Sequence, residues 1–419
     1  MKKNTKNRVE KKNPTLWTKN FTLITISTIL SAIGGEAMNL PISLLVFDYT
    51  QSTLLSSIIL VCGMLPDIVL PVLIAPIIDK TKKKMWLLIT DGALVLVYLA
   101  MGIWTMVFDF YYVLYVIFTL VVGTISVISR LSYNAWYPDL IPVGMEQKGY
   151  AVSGTIYPVI IIAMAPITTV LYEYVSISQI FLFVAILTLI SFVLESRILE
   201  GDTHSHRSIT IKDYMKELKE GFIYIKKEKG IRNIYTYMSI TSGAGEGVSI
   251  MTQAYYQTQP IFTVVMLGFL KSVEMIGRVI GGTLQYKKEI PVKKRYLFTK
   301  FVYSFYNVMD SILLFLPYPL MLVNRFLCGA LGSTSATIRE VAVQSYLSAD
   351  MRARVQALFQ VIFAIGGILF QLVAGILGTY LPYRAVTVLL SGVSMIAMIL
   401  LIVIPKKENR IVYEATRKI

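Results

Sequence analysis

The sequence predicts an all-α membrane protein with twelve transmembrane helices in two pseudo-symmetric six-helix halves. Three observations predict this fold. Hydrophobic residues make up 55% of the 419 residues and charged residues only 16%, nearly all basic residues of the loops and tails lie on alternate sides of the predicted spans, and several features of the first half recur in the second. A helix that crosses a hydrocarbon core of about 30 Å needs roughly 20 mostly apolar residues, so twelve helices need about 240. The chain is long enough for twelve.

Apolar segments follow one another along the whole chain. The first comes after a basic leader and has the outline of a secretory signal. It is too long for the apolar region of a signal and has no small-x-small cleavage site before the next charge, so we expect it to remain as the first span. The predicted spans are 21–47, 54–78, 85–108, 112–133, 149–172, 177–196, 233–258, 260–284, 296–316, 318–338, 355–378 and 382–404.

Lysine and arginine are concentrated on one predicted side of the membrane. They lie before span 1, after span 12, in the central stretch and in the loops after spans 2 and 8, whereas the opposite loops carry only Arg384. The positive-inside rule assigns the basic side to the cytoplasm. We therefore predict a multi-pass protein of the cell membrane with both termini in the cytoplasm. The same sorting of charge argues against a nucleic-acid partner, despite a net charge of +15.

One long interior segment is polar, and it separates six spans from six. The predicted organisation is a tail over 1–20, a first half over 21–196, a central loop over 197–232, a second half over 233–404 and a tail over 405–419. Apolar residues at helical spacing within the loop indicate an amphipathic helix on the cytoplasmic surface, which we expect to be a connector rather than a regulatory element. These residues are Ile211, Tyr214, Met215, Leu218, Phe222 and Ile225.

Three features recur in register between the halves. Span 1 places Glu36 among glycines, and span 7 does the same with Glu246. A basic loop follows both span 2 and span 8, and Arg130 and Arg339 occupy matching places at the ends of spans 4 and 10. Because transporter folds are often built from duplicated halves, these matches favour a transporter.

This layout resembles the major facilitator superfamily. The family's loop motif between spans 2 and 3, Gly-x-x-x-Asp-Arg-x-Gly-Arg-Lys, is similar to residues 75–84, where Ala75 and Lys82 replace both glycines. Residues 134–142 and 220–224 are similar to the branch that holds macrolide-efflux and enterobactin-exporter-like proteins. The antiporter motif of span 5, Gly-Pro-x-x-Gly-Gly, is represented only by the sequence Ala-Pro-Ile-Thr-Thr-Val at residues 165–170.

The resemblance implies functions for parts of the chain. Spans 1 and 7 would line a central cavity between the halves. The loop after span 2 would act as a conformational latch that joins helix ends in the outward-facing state, and the alternative is a loop that only sets membrane orientation. The latch residues would be Asp79, Lys80, Lys83 and Lys84.

Charged residues within spans are the main candidates for a site. An ionisable group at the bilayer centre costs roughly 2.5 to 3.5 kcal/mol, so it normally faces a polar cavity or a partner. Glu36 and Glu246 lie near the middle of spans 1 and 7, and we predict that they bind substrate or carry the coupling proton. The alternative is a pair of neutral, hydrogen-bonded glutamates that only join helices.

Other spans carry further charges. Asp67 follows Pro66 near the middle of span 2, where binding and structural bending explain it equally well. In span 8, charges spaced three and four apart share one helix face, which is typical of an internal ion-pair ladder and leaves a part in binding open. They are Lys271, Glu274 and Arg278. Asp310 in span 9 and Arg325 in span 10 are second-tier candidates that could pair between neighbouring helices.

Several chemistries lack their sequence signatures. No phosphate loop, nucleophile elbow or His-Glu-x-x-His helix occurs, so we expect neither ATP-driven transport nor an enzyme. Cys62 and Cys328 lie in distant spans, where free thiols pack as small hydrophobes. His204 and His206 lack a third ligand. We predict no cofactor and no metal site.

The leading functional prediction is a secondary active transporter, namely a proton-coupled efflux pump for amphipathic or cationic compounds of the drug or siderophore type. Its partners would be a small-molecule substrate, protons or another coupling ion, and the lipid bilayer, and the protein would be a monomer. Two alternatives stay open at this point. One is an importer or symporter on the same fold, and the other is a membrane receptor that transports nothing.

Overall fold

A computed structural model describes residues 15–79, 81–199, 211–287 and 290–416. Helices occupy almost all of these ranges, and no strand occurs in them, which confirms the predicted all-α membrane fold. The first half contains α1 (Lys19–Thr50), α2 (Thr53–Met64), α3 (Pro66–Asp79), α4 (Lys83–Val107), α5 (Tyr112–Leu140), α6 (Glu146–Tyr174) and α7 (Ile177–Ser196). The remainder contains α8 (Ile211–Lys227), α9 (Lys229–Thr258), α10 (Val264–Lys287), α11 (Val292–Ile312), α12 (Tyr318–Tyr346), α13 (Ala349–Tyr380), α14 (Tyr383–Met398) and α15 (Lys406–Tyr413).

Twelve helical crossings divide the molecule between two faces. Predicted span 2 consists of α2 and α3 together, the other spans of the first half are single helices, and spans 7 to 12 are α9 to α14. An even number of crossings puts both ends of the chain on one side, with α8 and the loop at 81–82. We call this side the terminal face and the other side the opposite face.

The two halves pack in matching ways. In the first half α7 packs against α1 and α4, and in the second half α14 packs against α9 and α11. Contact between the halves is made by α6 with α10 and by α2 with α13, which are equivalent pairs under the exchange of the halves. The predicted pseudo-symmetry is therefore present in the helix contacts.

Span 2 is interrupted near its middle. Helix α2 ends at Met64 and α3 begins at Pro66. Proline has no N–H to donate to the carbonyl of the residue four positions earlier, and its ring crowds that carbonyl, so an interior proline breaks or bends a helix. Asp67, the second residue of α3, forms an ion pair with Arg130 of α5.

Helix α8 occupies the second part of the central polar segment and packs on α13. The Arg354 guanidinium lies 2.6 Å from the Glu220 carboxylate, and Ile225 is buried. Met215 and Phe222 are exposed. The structure thus shows a helix with a packed side and an exposed apolar side in the segment predicted to be amphipathic.

Helix α15 lies in the segment predicted to be a tail. Its Tyr413 is fully buried and shares a 2.9 Å hydrogen bond with Tyr303 of α11. Asn409 donates a 2.7 Å hydrogen bond to the Leu401 carbonyl. The prediction of a simple tail missed this helix because α15 is short and polar, and its packing residues come from distant parts of the chain.

The four helices α9 to α12 differ in composition from the other spans. Helices long and apolar enough to cross a membrane by composition alone number eight in the described ranges, and these four are not among them. They carry more charged and hydroxyl side chains along their length. Those side chains surround the cavity described next.

Candidate functional site

A cavity of about 560 Å³ lies among α9, α10, α11 and α12. The first half contributes Ile161 of α6 to its wall. Its charged lining residues are Glu246, Lys271, Glu274, Arg278, Asp310, Arg325 and Arg339. The cavity therefore carries several charged groups in a largely apolar wall, and it is built mainly by the second half.

Glu246 lines this cavity from α9. Its Oε2 accepts a 3.3 Å hydrogen bond from the Gln371 side chain of α13. The glycines around it have two roles: Gly243 packs directly on the backbone of Gly366, whereas Gly245 has open space beside it. Small residues allow the close approach of α9 and α13 while leaving the carboxylate accessible.

Lys271 of α10 connects the charges of the two halves. Its ammonium interacts electrostatically with the carboxylates of Glu246, Glu36 and Glu274. Glu36 is half-buried on α1 and is not part of the cavity wall. The predicted pair of glutamates thus has unequal surroundings, and Lys271 lies within electrostatic range of both.

An ion-pair network fills the wall between α10, α11 and α12. Arg278 contacts Glu274 at 2.8 Å, and Arg325 contacts Asp310 at 2.5 Å and Glu274 at 4.0 Å. The hydroxyl of Tyr306 donates to Glu274 at 3.5 Å. Glu274 and Asp310 are therefore neutralised by arginines, in contrast to Glu246.

A second cleft of about 560 Å³ adjoins the cavity and is lined by Pro158 of α6, Ser333 of α12 and Arg278. Arg278 lines both spaces, and 49% of its side chain is exposed. A solute that passes from the cleft to the cavity would meet this guanidinium.

Hydrogen bonds between the halves close the opposite face. Thr53 donates to the Gly375 carbonyl at 2.8 Å, and Ser43 donates to the Gln253 side chain at 3.1 Å. Gln257 donates to Asp48 at 2.7 Å.

A further bond, from Ser272 to the Ile162 carbonyl, measures 2.7 Å. The residues that form these four hydrogen bonds all lie nearer to the opposite-face end of their helices than to the terminal-face end. The two halves are therefore held together in the region between the cavity and the opposite face.

Asp67, a candidate from span 2, forms an ion pair with Arg130 of α5. Both charges belong to the first half, and neither lines the cavity. The structure places Asp67 in a contact between α3 and α5.

The predicted latch is partly described. Lys83 contacts Asp139 at 3.1 Å, and Lys84 donates to the carbonyls of Ser196 and Ile198 at 3.0 and 2.8 Å. These contacts tie the start of α4 to the ends of α5 and α7. Lys80 and the Asp79 side chain lie outside the described residues.

His204 and His206 also lie outside the described residues. Among the residues that are described, no three of His, Cys, Asp and Glu are grouped so that they could hold a metal ion.

Sequence reasoning missed several polar residues of this region. Gln371 is an amide within the apolar later part of α13, and Tyr306 lies beside the ion-pair network. A polar side chain in an apolar span was an available signal for Gln371. The buried acids Asp91 and Glu195 were also missed, because each stands alone in its own helix.

Comparison with known proteins gives a family and a fold. The model of the Major Facilitator Superfamily matches residues 26–309 and 308–417. A search of curated proteins found no match.

Among solved structures, the nucleoside transporter NupG superposes with a TM-score of 0.69 at 13% identity, covering 93% of this chain and 100% of that one. A POT family transporter in complex with a thioalcohol-conjugated peptide gives 0.68 at 11% identity, with coverages of 93% and 96%. A bacterial homologue of the human lysosomal transporter Spinster, in an inward-facing and unoccupied conformation, gives 0.64 at 11%, with coverages of 94% and 96%.

Proposed function

The chain belongs to the Major Facilitator Superfamily and is a multi-pass membrane transporter; from this premise we propose that it is a proton-coupled efflux pump for amphipathic or cationic small molecules. Transport would proceed by alternating access, in which the two halves rock about a central site. The terminal face would be cytoplasmic, because it carries most of the lysine and arginine. The closed opposite face then corresponds to an inward-facing state of the pump.

The main support for the proposal is that the Glu246 carboxylate faces the cavity without a close basic partner among the described residues. It lines the cavity, it accepts a hydrogen bond only from Gln371 among the described residues, and it forms no ion pair within 4.0 Å there. An acid that faces a cavity without an arginine partner can exchange a proton for a cationic group of a substrate. Its arginine-paired neighbours Glu274 and Asp310 are less suited to that exchange.

Aromatic residues in the same cavity supply an apolar surface for the rest of such a substrate. Tyr237, Tyr303, Tyr306 and Phe363 all line it. Aromatic faces attract cations by about 0.5 to 2 kcal/mol, depending on how fully the cation is desolvated. An amphipathic cation is thus matched at both its charged and its apolar ends.

Lys271 supplies a coupling mechanism. Its ammonium interacts with Glu246 in the second half and with Glu36 in the first. Protonation of either glutamate would remove one attraction, and a cationic substrate would compete with Lys271 for Glu246. Protonation of Glu36 weakens the attraction between the halves, whereas a proton or a cation at Glu246 frees Lys271 to interact more strongly with Glu36 across them. A ligand that interacts differently with two states shifts their populations.

The contacts of Lys83 and Lys84 extend this scheme to the terminal face. They hold α4, α5 and α7 together within the first half. We propose that this loop acts as the family's latch when the terminal face closes.

A transport assay tests the function directly. Cells that express the protein are loaded with a fluorescent cationic dye such as ethidium, and dye retention is measured with and without a protonophore. We expect lower retention than in control cells, and the protonophore should abolish the difference. Glu246→Gln and Glu36→Gln, verified for membrane insertion, should lose the protonophore-sensitive part. If both variants export dye as fast as the wild type, the coupling role is wrong.

An importer or symporter of a small anionic or zwitterionic solute is the second candidate. The half-exposed Arg278, which borders both the cavity and the adjoining cleft, favours it. Direction separates the two candidates. Uptake of solute into right-side-out vesicles down an imposed proton gradient, with no export of cationic dye, would replace the efflux proposal with this one.

A further inference from the structure

Two acids are buried together in the first half, away from the central cavity. Asp91 on α4 and Glu195 on α7 are 4% and 3% exposed. Neither belongs to the cavity wall. Glu195 is the residue before the last of α7, and Asp91 lies two turns from the start of α4, so the pair is close to the terminal face.

Serine hydroxyls surround the two acids. Ser27 of α1 donates to Oε1 of Glu195 and shares a 2.7 Å hydrogen bond with Ser191 of α7. Ser31 of α1 lies 3.1 Å from the same Ser191 hydroxyl. The carboxyl groups of Asp91 and Glu195 face each other where α4 packs on α7, and both interact with Ser191. The cluster therefore links α1, α4 and α7.

The second oxygens of both acids lack partners. Oδ2 of Asp91 and Oε2 of Glu195 are buried and accept no hydrogen bond from any described residue. No arginine or lysine forms an ion pair with either acid in the described ranges. Two buried oxygens are thus left without a donor in a cluster that has no positive charge of its own.

Charged and titratable groups on the neighbouring helices do not replace that missing charge. Tyr133 of α5 faces Glu195 and is a neutral phenol. Lys84 of α4 donates to the carbonyls of Ser196 and Ile198 at the end of α7. Helix α1 brings only hydroxyl groups to the pair.

Two adjacent carboxyl groups in a buried, uncharged setting cannot both be ionised, because their like charges repel and neither is solvated. One proton placed between them converts the repulsion into a hydrogen bond. We propose that Asp91 and Glu195 form a proton-binding site that holds one proton in the first half, outside the substrate cavity. The serine hydroxyls fix the orientation of the two acids.

The site has a mechanical consequence. While the proton is bound, α4 and α7 are joined by the acid pair, and α1 is joined to α7 through Ser27. Loss of the proton would place two negative charges side by side between these helices. Because α1 also carries Glu36, the occupancy of this site would affect the helix that faces Lys271.

Infrared spectroscopy of the purified full-length protein tests the proposal without relying on transport. The carbonyl stretch of a protonated carboxylic acid is separate from that of a carboxylate. Asp91→Asn and Glu195→Gln keep the shape of the pair. In each variant the amide N–H can donate the missing hydrogen bond, so the pair no longer needs to bind a titratable proton. At neutral pH each variant should lose one protonated-acid band that the wild type shows. Glu173→Gln, which changes an exposed acid of α6, should keep it.

Thermal unfolding gives a second readout. The melting temperature of the wild type should fall as the pH is raised through the range in which the band disappears, and Asp91→Asn should abolish that fall. An unchanged band in both variants would overturn the proposal. It would also be overturned if sodium, but not choline, removed the band and raised the melting temperature, since the cluster would then hold a metal cation.

Discussion

Gln257 of α9 donates a 2.7 Å hydrogen bond to Asp48 of α1, and this bond joins the two halves at the opposite face. Tyr172 of α6 donates to the same carboxylate at 2.5 Å. A hydrogen bond to a charged group contributes about 1.5 to 3 kcal/mol. Asp48 is exposed, so we take the lower value of this range, about 1.5 kcal/mol. A free-energy difference of that size changes an equilibrium constant about tenfold.

Asp48→Ala should therefore increase the population that is open at the opposite face by about tenfold. The measurement is the labelling rate of a cysteine placed in the cavity, Ser249→Cys in a Cys62→Ser background, by an impermeant maleimide added at the opposite face. Asp48→Asn keeps an acceptor oxygen for Gln257 and should label at nearly the parental rate. Equal rates for the Ala and Asn variants would show that this bond does not close the face.

Gly268 is the close-packing point between α10 and α6. A Cβ atom there would lie 2.6 Å from the Ala165 carbonyl oxygen and 2.8 Å from Cα of Pro166. Overpacking of this kind costs about 1 to 3 kcal/mol. Gly268→Val should raise labelling of the same cavity cysteine at least about fivefold. Gly392→Val, where no atom lies within 4 Å of the added Cβ, is the matched control, and equal labelling of the two would refute the role of this contact.

The Asp310–Arg325 pair is almost fully enclosed, with residue exposures of 6% and 8%. Removing one partner of a buried pair leaves an uncompensated charge and costs about 3 to 5 kcal/mol. Asp310→Asn leaves Arg325 with its longer, 4.0 Å contact to Glu274, so it should lower the melting temperature, as measured by fluorescence-detected chromatography after heating. The double variant Asp310→Asn, Arg325→Gln should recover part of the loss, because no charge remains unpaired.

The Arg410–Glu414 pair, in which half of the Arg410 side chain is exposed, serves as the control for that measurement. Arg410→Gln removes a charge from a helical pair of the kind that contributes about 0.3 to 0.5 kcal/mol. Its melting temperature should stay close to that of the wild type. If Asp310→Asn and Arg410→Gln lowered the melting temperature equally, the enclosed pair would contribute no more to stability than the pair on α15.

Lys271 is the protein's own cation beside Glu246 and Glu36. If a cationic substrate competes with it, Lys271→Gln should bind ethidium several-fold more tightly, whereas Lys271→Arg should bind it about as the wild type does. Fluorescence polarisation with purified protein measures both affinities. Weaker binding by the Gln variant would place the cation elsewhere and count against Glu246 as its acceptor.

Much of the fold was predictable because lipid imposes simple rules on a sequence. The length of the first apolar segment predicted a span over 21–47, close to the observed α1, Lys19–Thr50. The distribution of basic residues predicted that both ends of the chain lie on the same side of the membrane. Predicted span 2 over 54–78 spans two helices, because a hydropathy run does not show how a proline divides it. Helix α15 was missed since a short polar segment offers no apolar run.

The site was less predictable, because its geometry depends on which helices meet. The spacing of Glu274 and Arg278 correctly predicted a shared face, which is a local property of one helix. Asp310 and Arg325 were only possible partners until the packing of α11 on α12 brought them together. Asp91 and Glu195 were not considered at all, since a single acid near the end of a span resembles an ordinary boundary residue.

The weak apolarity of α9 to α12 also bears on how the protein is made. A segment enters the bilayer from the translocon according to its own transfer free energy, and each central Asp, Lys or Arg opposes entry by about 2.5 to 3.5 kcal/mol. Glu274, Asp310 and Arg325 lie on three different helices of this group. Their charges are neutralised only after the helices have met. Insertion of α9 to α12 is therefore a collective step, in which neighbouring segments must be held together until their charges pair, whereas the more apolar helices of the first half, and α13 and α14, can be inserted one at a time.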